Sequence, residues 1–144
     1  MQNKSITEIL KDLRNKTISS EELTKYYLDN IEREDKKLNA YISVFGELAI
    51  EKAREYDNNF ERESKKKLGG IPIAVKDIFS TRNLFTSAAS HILDKYTPVY
   101  ESTVTRKILD EGAIILGKTN LDQFCHGSST TTSYYGRSMN PYDL

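Results

Sequence analysis

Two short apolar runs separated by a capped helical segment constrain the fold of this chain most strongly. Ile71–Val75 and Ala113–Leu116 are short and rich in aliphatic residues, several of them β-branched, so we interpret both as buried strands. Between them, Ser102 can cap a helix that Gly112 would end. Parallel strands need a long crossover connection, which is usually a helix. The sequence therefore predicts an α/β layer with a largely parallel sheet.

The charged residues are distributed unevenly along the chain. Residues 1–67 hold 28 of the 42 charged side chains, whereas the 77 residues from Leu68 onward hold only 14. A charged first part is typical of helices with one solvated face, and the second part reads as more buried. We predict an N-terminal helical layer over residues 1–67 and the first part of an α/β core over residues 68–144. Together they would form one incomplete domain.

Three amphipathic helices are predicted in the first part. Ser5 with Glu8, and Ser19 with Glu22, have the spacing of a capping box, and each pair precedes apolar residues at helical spacing. A third apolar stripe lies between residues 47 and about 60. Amphipathic helices bury their apolar faces, so these helices should cover part of the predicted sheet.

The overall composition argues against several classes of protein. Basic and acidic residues are equal at 21 each, so no net field favours nucleic acid or a membrane surface as a direct partner. No apolar stretch approaches the roughly 20 residues that cross a bilayer. The acidic residues near the N-terminus are unlike a targeting peptide, and the single Cys125 fits a reducing compartment. We expect a soluble intracellular protein.

Gly112–Thr119 matches the P-loop pattern letter for letter, but its surroundings do not match. A P-loop needs a strand before its first glycine, because the residues between the glycines form the loop that surrounds phosphate. Here the preceding segment reads as helical and the intervening residues are strand formers. We therefore predict that Lys118 binds no phosphate.

Two further patterns invite a chemical interpretation. Cys125 and His126 could suggest a thiol nucleophile, but neighbours in sequence usually point apart, so we expect a small buried cysteine. Two histidines and one cysteine also have no metal-ligand spacing, and we expect no metal site. Lys76 ends the first apolar run, where a dehydrated ammonium could serve as a base. On pattern alone, however, a surface lysine at a strand end is the better interpretation.

Several sequence blocks in residues 68–144 are specific to one protein family when they are taken together. They comprise Gly70–Asp77 with Thr86–Ser90, and Gly112–Asn120 with Gly127–Thr130 and Asn140–Leu144. In order and spacing these blocks resemble the amidase signature family. The resemblance implies an amidase-signature-like α/β fold, with a mixed, largely parallel sheet flanked by helices. This chain would form only part of that domain.

The resemblance also implies a Ser–Ser–Lys catalytic triad, with Lys76 as its lysine. The two serines of the family lie in a segment beyond Leu144, so we expect the isolated chain to be inactive and its lysine to stay at the surface. A lysine that acts as a base near pH 7 needs its pKa lowered from about 10.4 to about 7–8, which requires burial. Ser128 and Ser129 match a different stretch near the active-site floor. They form either a hydroxyl-rich turn or a substrate-pocket loop.

Within the family, the chain is similar to the A subunits of aspartyl/glutamyl-tRNA amidotransferases. That similarity implies hydrolysis of glutamine and delivery of ammonia to a partner subunit that converts misacylated Glu-tRNA(Gln) or Asp-tRNA(Asn). The implied partners are subunits B and C, and the partner subunit would use ATP and Mg²⁺ while this chain binds no cofactor. The implied compartment is the bacterial cytoplasm or an organellar matrix. Two alternatives stay open: another amidase that hydrolyses simple amides, and an inactive fragment of a split or decayed gene.

Overall fold

Five α-helices and three strands form the part of the chain that the computed structural model describes, residues 4–142. In chain order they are α1 (Ile6–Arg14), α2 (Ser20–Leu38), β1 (Tyr41–Val44), α3 (Gly46–Asn58), α4 (Phe60–Glu63), β2 (Pro72–Lys76), α5 (Thr103–Asp110) and β3 (Ile114–Thr119). Short 3-10 turns occur at His91–Leu93 and Gln123–Cys125. No helix within residues 4–142 is long and apolar enough to cross a membrane.

Local capping signals determine where the helices begin. Both predicted capping boxes are confirmed, since the Ser5 and Ser19 hydroxyls accept from the backbone N–H groups of Glu8 and Glu22 and the two glutamates accept in return. Ser102 caps α5 in the same way through its side-chain oxygen. Each cap satisfies N–H groups that have no partner inside the helix, a contribution of typically about 1 kcal/mol.

The sheet has the strand order β1-β3-β2. Strands β2 and β3 are parallel, with Pro72 opposite Ile114 and Lys76 opposite Thr119, which confirms the predicted parallel pair. Strand β1 was not predicted, and it pairs with β3 in the antiparallel sense. The sheet is therefore mixed. Because β1 lies in the first 67 residues and still joins this sheet, the division of the chain at Leu68 stays a prediction.

The helices of the first part cover the sheet, as their amphipathic patterns require. One apolar cluster joins α1 and α2 to the start of β2, and a second joins α3 to β3. Their buried members are Ile9, Leu13, Leu23 and Ile71 in the first cluster, and Ala49, Ala53, Ile114 and Leu116 in the second. Burying side chains of this kind contributes about 1.5–3 kcal/mol for each larger one.

The two predicted strands differ in burial. Strand β3 lies between its two neighbours and is buried from Ile114 to Lys118. Strand β2 is at the edge, and its alternate side chains Ala74 and Lys76 are exposed while Val75 is buried. The prediction of a buried strand over Ile71–Val75 therefore holds for Ile71 and Val75 but is wrong for Ala74. Successive side chains of a strand face opposite sides, and only one side of β2 is covered by the described residues.

Candidate active site

An open cavity of about 490 Å³ lies at the edge of the sheet where the parallel strands end. The carboxyl ends of parallel strands are the usual position of ligand sites in α/β folds. The lining residues are Lys76 from β2, the segment 120–122 after β3, Cys125, the segment 127–130, and the segment 138–140. The structure therefore brings together Lys76, Ser128 and Ser129, the three site residues predicted from the sequence.

Lys76 is exposed, and its ammonium has no hydrogen-bond or ion-pair partner among residues 4–142. Its exposure follows from the face of β2 on which it lies, because Ala74 on the same face is also exposed while Val75 on the other face is buried. This outcome agrees with the expectation that the lysine stays at the surface in this chain alone. Its catalytic role stays a prediction, because the described residues leave the cavity open and the lysine exposed.

Ser128 and Ser129 lie in a tight turn that also faces the cavity. Both are exposed, and the Ser129 hydroxyl lies 3.2 Å from that of Thr131. The backbone N–H groups of Ser129 and Thr130 donate to the carboxylate of Asp122. The segment is thus a hydroxyl-rich turn that also lines the pocket, so the two interpretations are compatible. A role of these serines in binding substrate stays a prediction.

Asp122 organises this turn, although the sequence pattern did not point to it. Burial alone would raise the pKa of Asp122, but hydrogen bonds from Thr132, Thr130 and Ser129 together outweigh burial and lower it. The carboxylate is therefore ionised at neutral pH. A detectable signal was present, because eight of the twenty residues from 119 to 138 are Ser or Thr. A lone aspartate in such a segment is a natural acceptor for its many donors.

A second buried carboxylate, Asp77, forms an ion pair beneath the strand ends. Its partner is Lys118, and both side chains are fully buried, with the ammonium 3.1 Å from Asp77 Oδ1. The ammonium also donates to the carbonyl oxygen of Phe79 at 2.9 Å and to Thr86 Oγ1 at 2.8 Å. Burial lowers the pKa of Lys118, and the charge of Asp77 opposes that effect. Two hydrogen-bond acceptors and a carboxylate at ion-pair distance favour the charged form of the ammonium.

This environment bears on the P-loop pattern. Residues Ile114–Thr119 form a strand and the segment before Gly112 is helical, so the predicted structural context is confirmed. Gly112 has a φ of +86° just after the end of α5, where glycine commonly ends a helix. The Lys118 ammonium points into the protein and is satisfied there. The buried lysine of this region is therefore Lys118, and Lys76 is the exposed one.

The ion pair also holds the small-residue stretch that follows β2. Asp77 Oδ2 accepts from the Ser87 N–H at 2.8 Å and from the Ser87 hydroxyl at 2.6 Å. The next residues, Ala88 and Ala89, are buried with φ of +51° and +53°, a conformation that side-chain-bearing residues adopt at a cost. The Ala88 carbonyl accepts from the Phe124 N–H at 3.0 Å. This hydrogen bond joins the stretch to the turn that lines the cavity.

Cys125 is exposed and lines the cavity, so the prediction of a small buried cysteine was wrong. The cause is a kinked backbone, in which Phe124 and Cys125 have φ of +53° and +62° and the turn projects outward. His126 is also exposed and does not complete a catalytic pair with Cys125 in any hydrogen bond of residues 4–142. Within that range, no three His, Cys, Asp or Glu residues are placed to hold a metal ion.

Comparison with known sequences shows one family over most of the chain. A sequence profile of the family described as Amidase matches residues 22–144. The chain is 45% identical over 139 residues to the A subunit of glutamyl-tRNA(Gln) amidotransferase from Hahella chejuensis, an alignment that covers 96% of this chain and 29% of that protein. The chain thus spans about three tenths of the length of the curated relatives it matches.

Solved structures of an amidotransferase A subunit and of a peptide amidase share the fold of this chain. The A subunit of glutamyl-tRNA(Gln) amidotransferase from Thermotoga maritima superposes with a TM-score of 0.75 at 35% identity, over 99% of this chain and 28% of that one. The peptide amidase from Stenotrophomonas maltophilia superposes with a TM-score of 0.87 at 27% identity, over 98% of this chain and 30% of that one. Both likenesses extend over nearly all of this chain.

Proposed function

The chain belongs to the amidase family, and on that premise we propose that it is the N-terminal portion of the A subunit of a glutamine-hydrolysing amidotransferase. The identity to relatives that are A subunits supports this assignment. The observation that carries the chemistry is the position of Lys76, which opens from the carboxyl end of β2 into a cavity shared with Ser128 and Ser129. An amine at that position can exchange a proton with a substrate held against the serine-rich turn.

The proposed reaction is hydrolysis of the side-chain amide of glutamine. A serine hydroxyl from the remainder of the protein attacks the amide carbon, while Lys76 takes its proton through a second, bridging serine. Lys76 then returns the proton to the leaving nitrogen of the tetrahedral adduct, the C–N bond breaks, and ammonia departs to leave the acyl-serine. Water hydrolyses the acyl-serine to glutamate. Since the described residues leave Lys76 exposed, the remainder of the protein must supply the cover that dehydrates it.

The proposed partners are amidotransferase subunits B and C. Ammonia released at this site would pass to the partner subunit, which uses ATP and Mg²⁺ to amidate misacylated Glu-tRNA(Gln) or Asp-tRNA(Asn). In this proposal the chain itself binds glutamine and no cofactor, and the protein works in translation in the bacterial cytoplasm or an organellar matrix. The names of the relatives support membership of such a complex.

The test measures ammonia release from glutamine by the complete A subunit, with this chain as its N-terminal portion, assembled with subunits B and C. Lys76→Ala should lower turnover by roughly 10²–10⁴-fold, the usual contribution of a general acid–base group. Lys107→Ala is the matched control, because Lys107 is an exposed lysine on α5. Unchanged turnover in Lys76→Ala would refute the proposed role. Hydrolysis of glutamine by the purified 144-residue chain alone would refute the proposal that the catalytic serines lie in the remainder of the protein.

A second candidate is a hydrolase of simple amides with no tRNA partner. It is favoured by the fold comparison, because the peptide amidase superposes better than the Thermotoga maritima protein, with a TM-score of 0.87 against 0.75. The two candidates predict different dependence on partners. Glutamine hydrolysis that rises when subunits B and C and tRNA are added favours the amidotransferase. Hydrolysis of simple amides that is unaffected by those additions favours the second candidate.

A further inference from the structure

We propose that Asp122 is a positioning residue, whose carboxylate holds the segment 127–132 as the cavity wall that faces Lys76. This inference rests on the proposed function for its consequence in catalysis, and on geometry alone for its structural part. Asp122 does not touch the proposed reacting atoms. It acts through Ser128 and Ser129, which the turn presents to the cavity.

Four hydrogen bonds converge on the Asp122 carboxylate. Oδ2 accepts from the backbone N–H groups of Ser129 at 2.9 Å and Thr130 at 2.8 Å. Oδ1 accepts from the backbone N–H of Thr132 at 3.1 Å and from its hydroxyl at 2.9 Å. Only a carboxylate offers acceptors at both of its terminal atoms, since an amide presents N–H groups at one of them. Asparagine would therefore set donor against donor in either orientation.

Gly127 provides an independent sign that the turn is built around this carboxylate. A Cβ added at Gly127 would lie 2.3 Å from Cγ of Asp122, and its three nearest neighbours all belong to that side chain. Glycine is thus needed here because of close approach to one side chain. An alanine at this position should displace the carboxylate and release the turn.

Asp122 itself lies close to the end of the sheet. Asp122 is 5% exposed and follows the buried Leu121, three residues after Thr119 at the end of β3. Thr119 lies directly opposite Lys76 in the parallel pair. The carboxylate therefore links the turn to the ends of β2 and β3. It holds the cavity wall at a fixed position relative to Lys76.

The effects on KM and kcat distinguish a positioning role of Asp122 from a general role in stability. If the turn is released, the substrate loses one wall of its pocket, and KM rises while the reacting groups are unchanged. If Asp122 only stabilises the fold, its loss reduces the fraction of active protein, which lowers apparent kcat and leaves KM unchanged. The two parameters therefore report different roles.

The experiment combines hydrogen exchange with kinetics on the assembled enzyme. For Asp122→Ala, which removes both acceptor oxygens, we expect the amides of residues 129, 130 and 132 to lose protection while those of β3 keep it. We expect KM for glutamine to rise about tenfold or more, because several hydrogen bonds to a buried charge are lost. Gly127→Ala, which keeps the carboxylate, should reproduce both effects. Gly46→Ala is the matched control, since its added Cβ meets only Leu28 methyl groups at 3.7 Å or more.

A double-variant comparison makes the inference specific to this contact. Gly127→Ala should raise KM strongly when Asp122 is present and have little further effect in an Asp122→Ala background. Retained protection at residues 129–132 in both single variants, or an unchanged KM with lowered kcat, would overturn the inference. Should the unaltered enzyme release no ammonia from glutamine, the proposed function fails while the exchange data still decide whether Asp122 holds the turn.

Discussion

Replacing Lys118 by methionine should destabilise this protein more than any surface substitution would. Methionine approximates the length of the lysine side chain but removes the ammonium that Asp77 Oδ1, the Phe79 carbonyl and Thr86 Oγ1 share. Apart from that ion pair, Asp77 Oδ1 has no hydrogen-bond partner among residues 4–142. The substitution therefore leaves a buried carboxylate oxygen without any compensating group.

The expected magnitude follows from this geometry. Removing one partner of a buried ion pair costs about 3–5 kcal/mol, because the remaining charge stays buried. A domain of this size has a total stability of about 5–15 kcal/mol, so the loss is a large fraction of it. Adding Asp77→Asn removes the stranded charge and keeps one acceptor for Ser87. The double variant should recover about 2–3 kcal/mol of the loss relative to Lys118→Met alone, as coupled neighbours do.

The assay is urea unfolding at pH 7 and 25 °C, followed by far-ultraviolet circular dichroism. Lys107→Met is the control, because Lys107 is exposed and its loss should change the unfolding free energy by less than about 0.5 kcal/mol. The m-value should stay unchanged in every variant, so that midpoints report stability. A cost below about 1 kcal/mol for Lys118→Met, or no recovery in the double variant, would refute the assignment of a compensating buried pair.

Three further outcomes are expected. Lys118→Met should leave any ATP affinity of this chain unchanged, because the lysine is committed to an internal pair; a loss of measurable ATP binding in titration calorimetry would contradict this. Hydrogen bonds from Arg54 and then Lys25 lower the pKa of Glu21 to about 2 from 4.5, so Glu21 stabilises the fold above about pH 4.5 and this contribution is lost as pH falls toward 2. The difference in urea midpoint between wild type and Glu21→Gln should accordingly shrink from pH 7 to pH 2.5, and a constant difference would refute it. Gly117→Ala should cost about 1–3 kcal/mol in thermal unfolding, because its Cβ would lie 2.3 Å from the Ser43 carbonyl oxygen that β1 contributes; an unchanged melting temperature would show that β1 does not pack there.

Features that depend on neighbouring residues in the chain could be predicted. The capping boxes at Ser5 and Ser19 need only a partner three residues away, and both were confirmed. The two apolar runs and the helix between them led to the parallel pair, because a short buried strand and its crossover have local signatures. Lys76 was placed at a strand end for the same reason, before any spatial neighbour was known.

Features that depend on distant contacts were missed. Strand β1 has only four residues, and its extended form is stabilised by pairing with β3, about seventy residues later. The exposure of Cys125 results from a kinked backbone that no local pattern marks. The same holds for Asp122, whose four donors come from a turn seven to ten residues away.

Lys76 and Lys118 show most clearly which properties follow from local sequence and which follow from tertiary packing. Alternation along a strand says that neighbouring side chains face opposite sides, but it does not say which side is covered. Lys76 lies on the uncovered face of β2 and faces the cavity, whereas Lys118 lies on the opposite, covered face of the sheet beside Asp77. The residue types alone determined that two ammonium groups follow apolar runs. The tertiary structure decided which face of the sheet is covered: Lys118, paired with the buried Val75, meets a counter-charge, and Lys76 on the opposite face meets water.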